Sequence, residues 1–569
     1  MTSEDEKIVH ESYTEFMQLQ VYRAVFGAHW EEVAEIVLPT SRNTFFYGNY
    51  NFPGQKKTDR QVDATAMMAL SRFGAILDSL LTPRNMTWHM LAADNDYLMK
   101  NRQVRLYFEQ VTKILFKERY KPITNFSSQN QLQYQSLGAF GTGCHYIDPY
   151  YGHDGASGLR YKHLPIGEIF LSENHQGLID RFCRWFRLTP RQAVQKFDPA
   201  TLPEGILKAA EQHSETPYEF LHRVCPRDDY EPGRIGPKGM TYASYFLSLT
   251  PERRLLRARH WPEGQMQSGY YSFPCAISRY EQTPGEIYGR SPAMMVLPAI
   301  KTLNSEKKDF LTQGHRAVAP VLLTADDGLV DISLRPGAIN KGGVNADGRP
   351  LIQPLPVGNI ATSKEMMDEE RALINDAFLV TLFQILTETP TMTATEVVER
   401  TNEKGILLAP TVGRQQSEYL GPLIDRELDV LSWLGKLPPM PPILHEARGE
   451  YQVVYTSPLS RAMRAQEVAG FGRSLELALQ VVNATQDPSV LDIYDFDTAL
   501  KESSDIQAVP VRWMASDDQI AAKRQNRQQI MQRQQNIQAA PANAAMLKAN
   551  VAAHEAGMTP QQQQQAPQA

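Results

Sequence analysis

Residues able to do chemistry are plentiful in this 569-residue sequence, but few stand at the spacings that chemistry requires. A phosphate-cradling loop needs GxxxxGK[ST] so that successive backbone N–H groups face the phosphates ahead of a helix. The glycines between Gly233 and Thr241, with Lys238 among them, do not hold that spacing. A turn presenting a nucleophilic serine needs a glycine two residues after it, and Gly289-Arg290-Ser291-Pro292 puts proline directly behind the serine. Ser291 and Pro292 instead suit the N-cap and first turn of a helix. His145, His153, His163 and His175 fall in one section, but none has the i, i+4 partner of a zinc-binding helix and no acidic pattern accompanies them. Asp326-Asp327-Gly328 and Asn345-Ala346-Asp347-Gly348 look like pieces of a calcium loop without its closing Glu, so they read as tight turns. No catalytic group, metal or cofactor is expected.

Two stretches could touch nucleic acid. The aromatic loop Phe45-Phe46-Tyr47-Gly48-Asn49-Tyr50-Asn51-Phe52 could stack bases, but without interleaved Lys or Arg it is expected to pack against a neighbour. Lys523, Arg524, Arg527 and Arg533 lie in a polar helical pattern and read as a solvated face. The net charge of −6 argues against an open basic DNA-binding surface. It is compatible with a protein past which DNA slides without being gripped.

The four cysteines, Cys144, Cys183, Cys225 and Cys275, are far apart and form no CxxC pair. Free, mostly buried thiols made in a reducing cytoplasm are expected. The acidic start MTSEDEKIVH has no apolar core, so no signal peptide is expected. No run approaches the roughly 18 apolar residues of a membrane helix.

The elements that position these residues form an α+β pattern too long for one core. Residues 1 to about 125 read as mostly helical, with helices up to Pro39, over about 59–81, and over about 97–119. Short strands follow at 144–147, 160–163 and 179–186, a short helix at 191–197, and strands at 242–249 and 270–277. The centre of the chain is a succession of helix, β module, helix, loop and helix. The first helix runs through Val296, Ile300, Leu303 and Phe310 to Gly314, and Pro298 inside the pattern predicts a start there. The second opens with Thr362 and Glu365 at capping-box spacing, buries Met367, Ile374, Phe378, Thr381 and Ile385, and stops at Thr389-Pro390. Thr393 and Glu396 repeat the capping spacing for the third. After the proline-rich spacer at 438–442 come a strand at 451–455 and helices at about 459–482 and 517–540. The Ala/Gln-rich tail over 541–569 is expected to be partly disordered.

Several segments, in order, resemble the head-to-tail connector, or portal, family of short-tailed bacteriophages. Residues 63–70, Ser79-Leu80-Leu81-Thr82-Pro83 and Trp88 resemble the family's N-terminal helix and loop, and Phe140-Gly141-Thr142-Gly143 its turn into a strand. His163-Leu164-Pro165-Ile166-Gly167-Glu168, Gly177-Leu178-Ile179-Asp180 and residues 181–197 resemble strands and a helix of the wing. Tyr288-Gly289-Arg290-Ser291-Pro292 with Lys301-Thr302-Leu303-Asn304 resembles the entry to the stem, and Tyr455-Thr456-Ser457-Pro458-Leu459-Ser460-Arg461-Ala462 the entry to the crown.

The resemblance implies a portal fold: an α+β wing (1–284 and 394–456), a two-helix stem (285–319 and 362–386), a small α/β clip (320–361), a tunnel loop (387–393) and a helical crown (457–540). It implies a ring of about twelve subunits in the virion, at one capsid vertex, assembled in the host bacterial cytoplasm. Expected partners are other copies of itself, double-stranded DNA, the major capsid and scaffolding proteins, the terminase motor, a tail adaptor or nozzle, and internal head proteins, with no membrane. The tunnel loop Thr387, Glu388, Thr389, Pro390, Thr391, Met392 and Thr393 is expected to meet DNA. Lys301, Lys307, Lys308, Glu365, Asp368 and Glu369 are candidates for charged rings in the channel. The alternatives are another assembly protein, such as a tail adaptor, and a hydrolase acting on DNA or cell wall.

Overall fold

The computed structural model describes residues 3–46, 54–152, 155–262, 265–324, 333, 335–341, 343–356, 360–381, 408–446, 450–456, 458–506, 509, 513–515 and 517–555. His153, the turn at 326–328, the aromatic loop beyond Phe46 and residues 387–393 lie outside that set. The chain folds into two units. The larger holds residues 1–91, 110–439 and 453–506, and the smaller 92–109, 440–452 and 507–569.

In the larger unit the N-terminal helix Ser3–Ile36 stops ahead of Pro39, as its pattern predicts. Arg23 is a buried charge on this helix that periodicity did not reveal. Its guanidinium donates to the carbonyls of Ile166, Gly167 and Ile169 at 3.0, 2.9 and 2.8 Å and lies 3.8 Å over the Phe170 ring. With the Phe45 carbonyl, which accepts from the guanidinium at 2.5 Å, four polar partners and a ring make burial of that charge tolerable. The next helix begins at Thr65 rather than Asp59, because Asp63 turns its carboxylate to the Thr65 N–H at 2.8 Å. The helix expected at 97–119 is broken into Asp96–Met99 and Arg102–Arg119. Helix Phe126–Phe140 escaped the sequence reading: buried Asn130, Gln133 and Ser136 interrupt its apolar face.

The two largest antiparallel sheets lie in this unit. A three-stranded sheet runs Cys275–Arg279, Thr142–Tyr151, Ser157–Leu164. A six-stranded sheet has the order Ile169–Glu173, Ile179–Leu188, Tyr218–Pro226, Tyr242–Ser248, Arg254–Leu256, with Ser268–Tyr270 paired beside Tyr242–Ser248. The single strand expected at 270–277 is therefore two, each pairing with a different sheet. Helix Pro190–Lys196 starts with the capping box Thr189/Gln192. It covers one face of the larger sheet through Ala193 and Phe197 against Phe220, Phe246 and Trp261. The N-terminal helix covers the other through Val9 and Phe16 against Phe170, Leu221 and Leu247.

The segments at Gly141 and Gly289 lock together. Gly141 has φ +73°, and a Cβ there would meet the Gly289 carbonyl oxygen at 2.3 Å; a Cβ on Gly289 would meet the Gly141 oxygen at 2.4 Å. The Gly289 N–H donates to Thr142 Oγ1 at 2.9 Å and the Tyr280 N–H to the Gly141 carbonyl at 2.9 Å. Only glycine allows that backbone approach.

All four cysteines are free and buried, as expected. In the smaller unit, helix Asp517–Glu555 continues well past the expected end at 540, because its alanines and glutamines are good helix formers. No described helix is long and apolar enough to cross a membrane.

Four buried histidines are held neutral. Burial pushes His145 down to about 3 and His163 to about 4, and lowers His89 and His222 well below the ordinary 6.5. Between about pH 6.5 and 4 the unfolded chain takes up protons at these sites that the folded chain refuses, so stability rises with pH across that window and is insensitive to them above it. Each site contributes about 1.4 kcal/mol per pH unit within its window. Thermal melts from pH 7 to pH 5 are therefore expected to show a falling midpoint, and a flat profile would refute neutral burial.

Candidate functional site

The central helices are the part of the chain with residues to spare for function. A short turn of helix, Pro292–Met295, begins with Ser291 Oγ accepting from the Met294 N–H at 3.0 Å. The long helix Leu297–Val318 then starts with Pro298 in its first turn, where a missing N–H costs nothing. The second helix begins at Ile360, so Thr362 and Glu365 lie within it rather than at its start. The two helices pack along Ile300, Leu303, Met367 and Ile374.

Asn304 latches the first helix to the loop before Thr65. Its side-chain oxygen accepts from the N–H groups of Val62 and Asp63 at 2.7 and 3.1 Å, and its amide donates to the Arg60 carbonyl at 3.0 Å. Arg371 of the second helix reaches the same loop, pairing with Asp63 at 3.1 Å and with Asp368 at 2.8 Å. Burial penalises the Asp63 carboxylate, but hydrogen bonds from Thr65, and after them the Arg371 pairing, bring its pKa below the ordinary value.

The candidate charged residues separate into paired and unpaired. Lys301 is neutralised by Glu32 at 2.8 Å. Lys308 is exposed and Lys307 lies 5.7 Å from the Phe310 ring. Glu365, Asp368 and Glu369 are exposed, and Asp368 is shared with Arg371. Among the described residues no ion pair joins Lys307 or Lys308 to these acids.

The second helix is interrupted before Thr381, where its pattern suggests an unbroken run, and helix resumes at Val380 and Thr381. The long run ends at Ala377, and Leu379 takes φ +60°, a left-handed conformation that L side chains rarely adopt. The cause lies in burial. Ile374 and Phe378 share one helix face, but Val380 would fall on the opposite face of a straight helix; the turn lets Phe378 and Val380 both be buried, at 0% and 2% exposure. Phe378 then meets the Phe73 ring edge at 6.1 Å.

Beyond the undescribed stretch, the helical segment 408–433 contains a feature sequence reasoning missed: a turn of π-helix at Gln415–Leu420. Pro422 explains it. A proline in an α-helix leaves the carbonyl four residues back without its donor and crowds it; one extra residue in the turn shifts the pairing, and the Gly421 N–H bonds to the Gln416 carbonyl. Tyr455 Oη donates to that same carbonyl at 3.0 Å. Gly421-Pro422 within a helical pattern is the signal that could have found it.

The π turn is fastened to strand Cys275–Arg279. Glu418 accepts from the Arg279 guanidinium at 2.9 Å and from its backbone N–H at 3.1 Å. Gln415 donates to the Arg279 carbonyl at 3.1 Å, and Arg414 to the Tyr280 carbonyl at 2.7 Å. Tyr419 Oη donates to Asn130 at 2.6 Å and lies 2.9 Å from His145 Nδ1. Since the hydroxyl's one hydrogen goes to Asn130, His145 must donate from Nδ1.

With the geometry established, similarity to known proteins can be placed on it. A model of the bacteriophage head to tail connecting protein family matches residues 10–514. A portal protein of Salmonella phage epsilon15 is 27% identical over 522 residues, covering 90% of this chain and 89% of its own. A probable portal protein of Bordetella phage BPP-1 is 28% identical over 519 residues, again covering 90% and 89%.

The strain at Leu379 is testable in stability. Leu379→Gly is expected to raise the unfolding free energy by about 1 kcal/mol, since a left-handed conformation costs an L-residue about 1–2 kcal/mol. A loss in denaturant titration would show that packing of the leucine side chain outweighs the strain.

Proposed function

Because this chain belongs to the bacteriophage head to tail connecting protein family and has the portal function, we propose that it closes into a ring of twelve copies at one capsid vertex. In this reading residues 1–284 and 394–456 form the wing, 285–319 and 362–386 the stem, 320–361 the clip and 457–540 the crown. Double-stranded DNA passes through the centre on packaging and ejection. The terminase motor and later a tail adaptor bind the clip, and capsid, scaffolding and internal head proteins surround the wing and crown.

The observation that carries the ring is the set of apolar side chains left uncovered on the central helices of a single chain. Met295, Leu311, Met366 and Leu373 are 55%, 45%, 51% and 52% exposed. Met366 and Leu373, seven residues apart, share one helix face, and lateral packing of neighbouring copies would cover these side chains. The hairpin Leu322–Thr324 with Ile352–Pro354 supports the same reading. Two strands alone are marginally stable in water, so strands of adjacent copies are needed beside it.

The charge distribution suits passage rather than grip. Duplex DNA carries one negative charge per roughly 1.7 Å, and every neutralising Lys or Arg adds affinity. Glu365, Asp368 and Glu369 would form acidic belts, Lys307 and Lys308 the attractive rings, and Lys301 a weaker one because Glu32 pairs with it. The loop from Thr387 to Thr393 offers threonines and Met392 without fixed positive charge at the narrowest point. The protein works as a structural conduit, not an enzyme.

Native mass is the direct check: twelve 64.3-kDa chains give roughly 770 kDa, whereas a monomer in native mass spectrometry would overturn the ring. Deleting residues 389–392 should leave assembly intact while packaged heads lose DNA. Normal DNA retention by that variant would exclude the loop as the contact.

A further inference from the structure

A cavity of about 320 Å³ opens in the larger unit between the end of helix Pro190–Lys196, the loop before strand Tyr242–Ser248, and helix Gly421–Trp433. The volume is at the small end of the roughly 300–1,000 Å³ typical of ligand pockets. Phe246 and Trp261, which pack under helix Pro190–Lys196, also form part of its wall.

Its walls are aromatic: Phe246, Trp261, Tyr270 and Trp433 line it. At one end stands Lys196, its Nζ 4.6 Å from the Phe246 ring centroid and 4.9 Å from that of Phe186. Among the described residues no carboxylate or carbonyl bonds to that ammonium. Burial pushes the Lys196 amine down to about 7, Arg184 and Lys162 push it the same way, and Asp148 opposes them. Arg184 is paired with Glu168 at 2.8 Å, so the Lys196 ammonium, with no carboxylate partner of its own, makes this the anion-accepting end.

The other charges in the cavity are arranged differently. Arg426 is occupied: it donates to the Ile147 carbonyl at 3.3 Å, lies 4.8 Å over the Tyr270 ring and stands 4.0 Å from Asp429. Asp148 and Asp429 line the cavity and would repel a second anionic group, so the site has room for one carboxylate, at Lys196. His260 also lines it and is kept toward its neutral form by burial.

The rim says what kind of molecule carries that carboxylate. Ile235, Tyr271 and Trp433 are 98%, 51% and 59% exposed, and Trp433 meets Tyr151 edge-on at 6.3 Å. A small ligand would need only the interior, whereas an exposed rim of Trp, Tyr and Ile around a desolvated pocket is the composition of a protein-contact centre.

We propose that this cavity is a docking pocket for a partner protein's segment in which a Glu or Asp side chain stands beside an aromatic or aliphatic one. The carboxylate pairs with Lys196 and the apolar neighbour lies between Trp261, Tyr270 and Trp433. The site goes beyond ring formation and DNA passage, and its residues lie outside the central helix pair.

The test is calorimetric titration of the full-length protein at pH 6, where the Lys196 ammonium is mostly charged, with acetyl-Phe-Glu-Phe-amide and with its Gln counterpart. The acidic peptide should bind at least tenfold more tightly, Lys196→Met should remove that difference, and Trp433→Ala should weaken both. Trp433 is largely exposed, so its replacement tests the site without threatening the fold. Equal binding of the two peptides, no binding of either, or an unchanged preference in Lys196→Met would overturn the proposal. Phenylacetate binding where the acidic peptide does not would also overturn it, assigning the cavity to small molecules.

Discussion

A fully buried ion pair ties helix Arg102–Arg119 to helix Gly421–Trp433. Arg119, at the end of helix Arg102–Arg119, donates from Nε to Glu427 at 2.9 Å, and both side chains are fully buried. Tyr161 donates to the same carboxylate, His89 Nε2 lies 2.9 Å from the guanidinium, and Trp88 stacks on it at 4.6 Å. Such a pair is costly to desolvate, and loss of either partner leaves a bare charge at a cost of about 3–5 kcal/mol. Its consequence is geometric. The pair fixes the face that helix Gly421–Trp433 presents to strand Ser157–Leu164, and with it the register of the π turn upstream.

That register matters because segment 408–433 follows the stretch assigned to the DNA-facing loop. A straight helix with Pro422 in it would kink at an unspecified angle. The π turn absorbs the proline, and Arg279, Asn130 and Tyr455 each hold one of its groups. Segment 408–433 is thus tied to the three-stranded sheet through the π turn. Leu379 is the counterpart at the other side of that loop, a bend enforced by burying Phe378 and Val380 together. Both ends of the undescribed segment are therefore set by packing against helix Thr65–Leu81 or the sheet.

Charge shows the same division between fixed and free groups. Most arginines of the larger unit are spent on structure: Arg23 on carbonyls, Arg119 on Glu427, Arg279 on Glu173 and Glu418, Arg371 on Asp63. A conduit for DNA gains from this, since each paired guanidinium is one fewer grip on phosphate. The unpaired Lys196 stands out against that background, which is why a carboxylate from outside suits it.

Much of the architecture was legible in the sequence because its causes are local. Ser291-Pro292, Thr189-Pro190, Pro39 and Thr82-Pro83 set helix ends by capping and by missing donors. Alternation marked Ile179–Leu188 as a strand, and the absence of any catalytic spacing pointed to a structural role. The family emerged from short segments in order, and two of them, at Gly141 and Gly289, meet backbone to backbone. What the tertiary structure alone decided are the contacts across long separations. Arg119 and Glu427 are 308 residues apart, Val62 and Asn304 242, and His145 and Tyr419 274. Periodicity carries no information about partners so distant, since a polar residue on an apolar face looks like an interruption until its partner is in place. For that reason Asn130, Gln133 and Arg23 read as defects in the pattern, and folding made them the connections that hold the unit together.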